Sequence, residues 1–362
     1  MIKFKKYNSV LVGKTINRGD QMNKKRLILV AVFAAIFANL AVFDMKQGSA
    51  IAKELKVATF MGAKHPVNRG VVPHLAKNLA KETGGSLTLK LYPGGQLGKG
   101  PKAQYKRVIE NVAEITFGVH GYTPKLFPRS MIVAQPGVGN SSQEVTKKFW
   151  RVYNKYLASE YTKVKVLAVF SNWPAVLITR KKPVSKVGDV KGLKIRAPSP
   201  SNIPQVNGWG AAAVFMPVSK IYNSLQTGVL DGVYISPGAL YKPWRLSEPG
   251  EYVTAGMEGP TSLTYLCMNK KVFDGLSSAH KAAINKHSGA AYSDFAANFW
   301  GTIDAGQLAT AKNEQKGVKF IQLNAAAAAE FNTVTAKSVD QFLAKREKAG
   351  IPAREIYDAA RR

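Results

Sequence analysis

The amino-acid sequence predicts an α/β protein built in two lobes, and three observations carry that expectation. Apolar runs of period two alternate with runs of helical period along most of the chain, the pattern of a largely parallel sheet flanked by helices. The passage Ser171-Asn-Trp-Pro174 separates one such series from a second, smaller one, so the chain crosses there from one lobe to the other. Residues Ser278 to Gly317 contain no proline and keep apolar side chains near helical spacing; as helix, such a run reaches roughly 60 Å, enough to cross both lobes.

The elements follow in order. Leu55 to Phe60 alternates as a strand, Val71 to Glu82 carries Val72, Leu75, Ala76 and Leu79 on one helical face, and Gly84-Gly85 ends that helix. Leu87, Leu89 and Leu91 alternate with polar residues up to Pro93-Gly94-Gly95, giving a half-buried strand and a β-α-β start. A helix around Tyr105 to Asn111 and strands at Ile115 to Val119 and Val164 to Phe170 continue the pattern, and Ala175 to Thr179 opens the second lobe. Between Gly192 and Tyr234 the strand-helix-strand logic repeats, with Ser219 expected as N-cap of a helix Lys220 to Thr227 and Gly228 just past its end. In the run from Ser278 to Gly317, which reads as one helix or two joined ones, Gly289, Gly301 and Gly306 are the candidate bends. A strand Val318 to Leu323 and a helix capped by Asn324 and ended by Gly350 close the pattern.

The N-terminal region reads as an export signal. From Met22 the chain runs Asn-Lys-Lys-Arg, then an apolar stretch from Leu27 to Phe43, then Gly48-Ser49-Ala50-Ile51-Ala52, a small-residue cleavage site; processing after Ala52 leaves Lys53 first. The start at Met22 makes residues 1–21 an upstream extension. No later segment is apolar enough to span a bilayer, so no membrane insertion is expected after cleavage. The formal charge of +30 is spread as lysines in ones and twos, with no aromatic-interleaved stripe, and so argues for a solvated basic surface and against a nucleic-acid partner. Cys267 is the single cysteine, so no intramolecular disulfide forms.

The chemistry that enzymes need is missing. The five histidines show no H-E-x-x-H pairing and no cysteine-histidine spacing for zinc, no G-x-S-x-G elbow is present, and Gly94-Gly95-Gln-Leu-Gly98 lacks the Lys-Ser/Thr ending of a phosphate loop. No enzyme activity, no cofactor and no metal is expected.

Three stretches stand in a telling order: Leu91-Tyr-Pro-Gly-Gly-Gln-Leu-Gly98, Val190-Lys-Gly-Leu-Lys-Ile-Arg-Ala-Pro198, and Met216-Pro-Val-Ser-Lys-Ile-Tyr-Asn-Ser-Leu-Gln-Thr-Gly-Val-Leu-Asp-Gly232. Together they resemble the DctP-type substrate-binding proteins of tripartite (TRAP) transporters over essentially the whole mature chain. The resemblance implies a two-lobed periplasmic binding protein-like (type II) fold with an interlobe ligand cleft, residence in the periplasm, and delivery of a small organic carboxylate to TRAP membrane subunits. The expected division is 53–173 with 262–300 for the first lobe, 174–261 with 301–350 for the second, and 351–362 as a C-terminal tail.

By the same resemblance Arg196 anchors the ligand carboxylate, a role that suits its planar, permanently charged fork of donors. The chain departs from the family in ways that bear on the ligand. The strand Trp173 to Thr179 brings no second basic anchor, Val233, Tyr234 and Ile235 stand where relatives carry amides and a carboxylate, and Lys220 replaces a family glutamate. A more apolar pocket is implied, suited to a monocarboxylate with an apolar or aromatic body or a 2-oxo or 2-hydroxy group; a C4-dicarboxylate, a sugar acid or an exported enzyme are the alternatives. Because ligands of open α/β sheets lie beyond the carboxyl ends of strands, His65, His120, Tyr122, Trp173, Tyr234 and Ser236 are candidate wall residues, and Met216 and Pro217 join them ahead of the second-lobe helix.

Overall fold

Two sheets organise the chain, and the computed structural model describes residues 52–362 of it. The first sheet contains β1 (Lys53–Ala58), β2 (Leu87–Tyr92), β3 (Ile115–Val119), β4 (Val164–Ser171) and, returning from far along the sequence, β10 (Leu263–Asn269), in the order β2-β1-β3-β10-β4. The second contains β5 (Val176–Thr179), β6 (Lys194–Ala197), β7 (Ala212–Phe215), β8 (Gly232–Ile235), β9 (Tyr252–Ala255) and β11 (Lys319–Gln322), in the order β11-β9-β5-β8-β6-β7. Apart from Ala52, the expected leader lies outside the described residues.

In the first sheet β1 pairs parallel with β2 and β3, whereas β10 runs antiparallel between β3 and β4. β3 and β10 are buried along their whole length, as strands covered on both faces must be, and so read as continuous apolar runs. Gly118 shows how tightly β10 is seated, since a Cβ there would overlap the Tyr265 ring across the ladder. In the second sheet β6 lies between β7 and β8, parallel to both, and this places the carboxyl ends of the three strands side by side.

Two strand-like crossovers join the sheets, residues 172–175 and 256–262. They are bonded to each other: the backbone N–H of Asn172 donates to Ser262 O at 3.3 Å, Ser262 N–H donates to Asn172 Oδ1 at 2.7 Å, and Ala175 N–H donates to Pro260 O at 3.1 Å. The proline-free run forms two helices, Ser278–Lys286 and Ala290–Glu314, broken at Gly289, whose φ of 80° is the left-handed conformation that favours glycine. Gly301 and Gly306 continue the second helix. This helix packs on β4 and on the helix Ser142–Val152 of the first lobe, and then on the 237–239 turn and β11 of the second.

Some expectations need correction. Ser219 does not cap the helix; it sits inside a 3-10 turn, Val218–Lys220, that leads into Ile221–Gln226. Residues 351–362 are not a tail. They form the helix Ala353–Arg361, whose Ala353, Ile356 and Ala360 are buried against the Ser142–Val152 helix of the first lobe. The Ala325–Glu347 helix, capped by the Asn324 side chain, buries Phe331 against Trp209 of the second lobe and Val339, Phe342 and Leu343 in the core cluster of the first. The expected second-lobe range therefore ends in residues that belong to the first-lobe core.

Candidate functional site

Arg196 occupies the third position of β6, and its side chain is only 2% exposed. Burying a guanidinium is costly unless its donors are met, and the neighbouring strands meet two of them. Nε donates to Met216 O at 3.0 Å just after β7, and Nη1 donates to Tyr234 O at 3.1 Å in β8. Of the five N–H donors these two are taken and Tyr122 stands within bonding reach of the same group; the guanidinium borders a cavity with donors remaining. Burial lowers the Arg196 pKa and the neighbouring Tyr122 opposes that shift; the guanidinium stays charged at physiological pH.

The cavity of about 50 Å³ is lined by both lobes and both crossovers. Tyr122, on a 3-10 turn after β3, reaches from the first lobe to accept the backbone N–H of Val218 in the second at 3.1 Å. Asn172 and Ser262 bring the bonded crossover pair to the cavity, and Ser236 comes from the end of β8. The aromatic wall is made by Trp244 and Trp300, with His65 set edge-on to both at ring-centroid distances of 5.8 and 4.8 Å. Among the described residues no acidic side chain lines the cavity.

Behind Trp300 lies Asp304, fully buried one helical turn on. Its Oδ1 accepts the Trp300 indole N–H at 3.1 Å, its Oδ2 accepts the backbone N–H of Trp173 at 2.9 Å, and Gly238 N–H is a third donor. Burial nevertheless pushes its pKa up to about 7, with the three donors pulling the other way. A Cβ on Gly238 would overlap Oδ1, so this turn needs glycine.

The structure thus brings four of the nine anticipated residues to one cavity: Arg196, Tyr122, Ser236 and His65. The other five require correction. His120 is fully buried in the first-lobe aromatic cluster, where its ring bonds Tyr161 Oη at 2.6 Å and Leu263 O at 3.1 Å, and it does not reach the cavity. Tyr234 turns into the second-lobe core against Trp209 and donates its hydroxyl to Glu258 O; only its backbone carbonyl serves Arg196. Met216 likewise contributes its carbonyl, and neither its side chain nor that of Pro217 lines the cavity. Trp173 is half-buried beside Asp304, and its neighbour Asn172 takes the cavity position instead. Sequence reasoning missed Asn172, Trp244 and Trp300. Asn172 was accessible by the same strand-end rule that selected Trp173, whereas a loop and a mid-helix position gave no signal for the two tryptophans.

The model of the family described as bacterial extracellular solute-binding protein, family 7 (DctP), matches residues 57–346. The chain belongs to the DctP family. Among curated DctP-like relatives, the outer membrane transporter protein TsaT of Comamonas testosteroni is 24% identical over 343 residues, covering 93% of this chain and 97% of that protein. The sialic acid-binding periplasmic protein SiaP of Vibrio cholerae is 28% identical over 167 residues, covering 44% of this chain and 50% of SiaP. Two solved TRAP solute-binding proteins superpose over most of the chain. One, from a marine metagenome and specific for aromatic acid ligands, holds 3-hydroxybenzoate; it is 25% identical with a TM-score of 0.81, covering 86% of this chain and 98% of that one. The other, from Rhodoferax ferrireducens, holds copurified benzoate; it is 25% identical with a TM-score of 0.80, covering 86% and 97%. The two-lobed α/β architecture of this DctP protein is therefore that of TRAP solute-binding proteins. Among the described residues, no helix is long and apolar enough to cross a membrane.

Proposed function

We propose that this protein captures a small organic monocarboxylate with an aromatic or apolar body in the interlobe cavity and hands it to the membrane subunits of a TRAP transporter in the periplasm. One observation carries the reading: among the described residues the cavity offers a single fixed cation, Arg196, with donors still free, no acidic group, and a wall of Trp244, Trp300 and Tyr122. A carboxylate pairs bidentately with such a fork, and aromatic rings supply the apolar contact for the rest of the ligand. A second carboxylate would enter without a cation to meet it, at the cost of burying an unpaired charge. The benzoate and 3-hydroxybenzoate found in two proteins of the same fold support this ligand class.

The reading is that of a receptor and not of a catalyst. The histidine in the cavity, His65, uses Nδ1 to accept the backbone N–H of Val67, and no carboxylate stands beside it to complete a nucleophile-base arrangement. A thermal-shift screen of the protein against aromatic, branched and linear monocarboxylates, C4-dicarboxylates and sugar acids tests the reading. Stabilisation by aromatic or branched monocarboxylates supports it, and stabilisation only by dicarboxylates or sugar acids overturns it. Ligand at a hundredfold over its Kd stabilises by about 2.7 kcal/mol, well within reach of the assay.

A further inference from the structure

His65 enters the cavity just ahead of a π-helical turn, Val67–Val71, and its imidazole is 2% exposed. Trp300 and Trp244 meet the ring edge-on and hold its plane. Nδ1 accepts the backbone N–H of Val67 at 3.3 Å, which requires a lone pair there and so puts the ring proton on Nε2. Burial holds the His65 pKa down to about 3, and the ring is neutral at physiological pH. Nε2–H has no protein acceptor among the described residues. Asn172 is in the same position: its Oδ1 is taken by Ser262 N–H at 2.7 Å, and its amide N–H groups have no protein acceptor among them either.

Subtracting what the protein already uses leaves the cavity with a one-sided set of groups. Arg196 and His65 offer donors only, and Asn172 offers two amide N–H groups beside an Oδ1 already engaged by Ser262; Thr264 donates its hydroxyl to Phe170 O at 2.8 Å and keeps only acceptor capacity; Ser236 and Ser262 can serve in either sense. The carboxylate of a ligand on Arg196 meets one part of this set. Donors facing the cavity bond water when it is empty, and a ligand that displaces that water must supply an acceptor in its place or leave the donor unpaired at a cost.

We propose that His65 is a specificity-determining residue whose Nε2–H donates to a second acceptor oxygen on the ligand body, so that the site selects aromatic or apolar monocarboxylates bearing an oxo or hydroxyl oxygen over those without one and over those bearing an ammonium group. The proposal rests on the monocarboxylate reading above. An ammonium group adds a positive charge and donors to a cavity that already holds Arg196 and lacks any acidic side chain to receive them.

Calorimetric titration with two matched series tests it. The first series is benzoate, 3-hydroxybenzoate and 4-hydroxybenzoate; the second is 3-phenylpropanoate, phenylpyruvate, 3-phenyllactate and phenylalanine. In the parent protein at least one oxygen-bearing acid binds about tenfold or more tighter than its plain counterpart, and phenylalanine binds weakest of its series. In His65→Phe the gain from the oxygen, read as the ratio of Kd values within each matched pair for that variant, falls to within about threefold, and His65→Asn, which keeps an N–H donor, restores part of the gain. If His65→Phe does not fold, the ranking in the parent together with His65→Asn still decides the matter. Plain acids that bind as well as every oxygen-bearing acid, an oxygen preference undiminished in His65→Phe, or tight binding of phenylalanine overturns the role of His65 and leaves the monocarboxylate reading intact. Failure of every acid in both series overturns that reading itself.

Discussion

Asp304 Oδ2 accepts the backbone N–H of Trp173 at 2.9 Å, so a buried carboxylate on the long helix grips the first crossover between the lobes. Its other oxygen holds the indole N–H of Trp300, which forms part of the cavity wall. One residue thus ties crossover, helix and cavity wall together.

This arrangement has a pH signature. Burial raises the Asp304 pKa to about 7 from an ordinary 3.8, so its folded form takes up a proton that the unfolded chain has already lost. The contribution is fully present below about pH 4 and is lost as pH rises to about 7, a change on the order of 4 kcal/mol. Asp304→Asn should flatten the stability profile across that window relative to the parent, in chemical denaturation at several pH values. Parallel profiles for the two proteins would show that Asp304 does not titrate in the fold.

His120 makes the opposite contribution. Burial lowers its pKa to about 4, so the stability of its neutral, doubly bonded ring is present above about pH 6.5 and lost as pH falls through about 4. His120→Leu should remove bonds to Tyr161 and Leu263, cost about 1 to 3 kcal/mol at neutral pH, and leave ligand affinity within about twofold. A large loss of affinity in a folded His120→Leu protein would return this residue to the binding site.

Uptake of an aromatic acid is expected to need the lobes to open, on grounds of volume. An apolar cavity that takes up benzene measures about 150 Å³, and this one measures about 50 Å³, with Tyr122 of one lobe bonded to Val218 of the other across it. Small-angle scattering should give a radius of gyration that shrinks when saturating benzoate is added, as expected of hinge closure. Superimposable profiles would contradict it. Tyr122→Phe, which removes the bridging hydroxyl, should weaken benzoate binding by about 0.5 to 1.5 kcal/mol, read as a faster dissociation rate.

Much of the frame was legible in the sequence because it rests on local periodicity. β2 and β3 and the helix Val72–Glu82 lie within a residue or so of where their apolar spacing puts them, and β1 is displaced by two, at Lys53–Ala58. The broken helix was less so: nothing in its spacing separated Gly289, which adopts the left-handed conformation, from Gly301, which does not. β10 escaped notice because, unlike the equally buried β3, it follows a crossover and not a helix, so no strand-helix alternation marks its place.

The site was legible only in part, for a geometric reason. The strand-end rule locates backbone near the cleft but does not say which way a side chain turns. Successive residues in extended chain face opposite sides, so Asn172 lines the cavity while Trp173 does not, and Ile235 lines it while Tyr234 faces the second-lobe core; Ser236 follows just past the end of the strand. Trp244 and Trp300 come from a loop and a helix, where tertiary packing alone brings them to the cavity.

The anchor itself can be tested by a change that keeps the charge. Arg196→Lys loses the fork and its brace to the carbonyls of Met216 and Tyr234, and should lower affinity for benzoate by about 2 to 5 kcal/mol in a protein that still folds. Binding equal to the parent would place the carboxylate elsewhere.

The role of Arg196 as a single carboxylate anchor is tested most directly by comparing two ligands. A calorimetric titration of the parent protein with benzoate and with succinate, under the same buffer and salt, sets a single-carboxylate aromatic ligand against a double-carboxylate apolar one. With Arg196 as the only cation lining the cavity among the described residues, benzoate should bind and succinate should bind at least about a hundredfold more weakly or not at all, since its second charge has no partner. Succinate binding more tightly than benzoate would contradict the account.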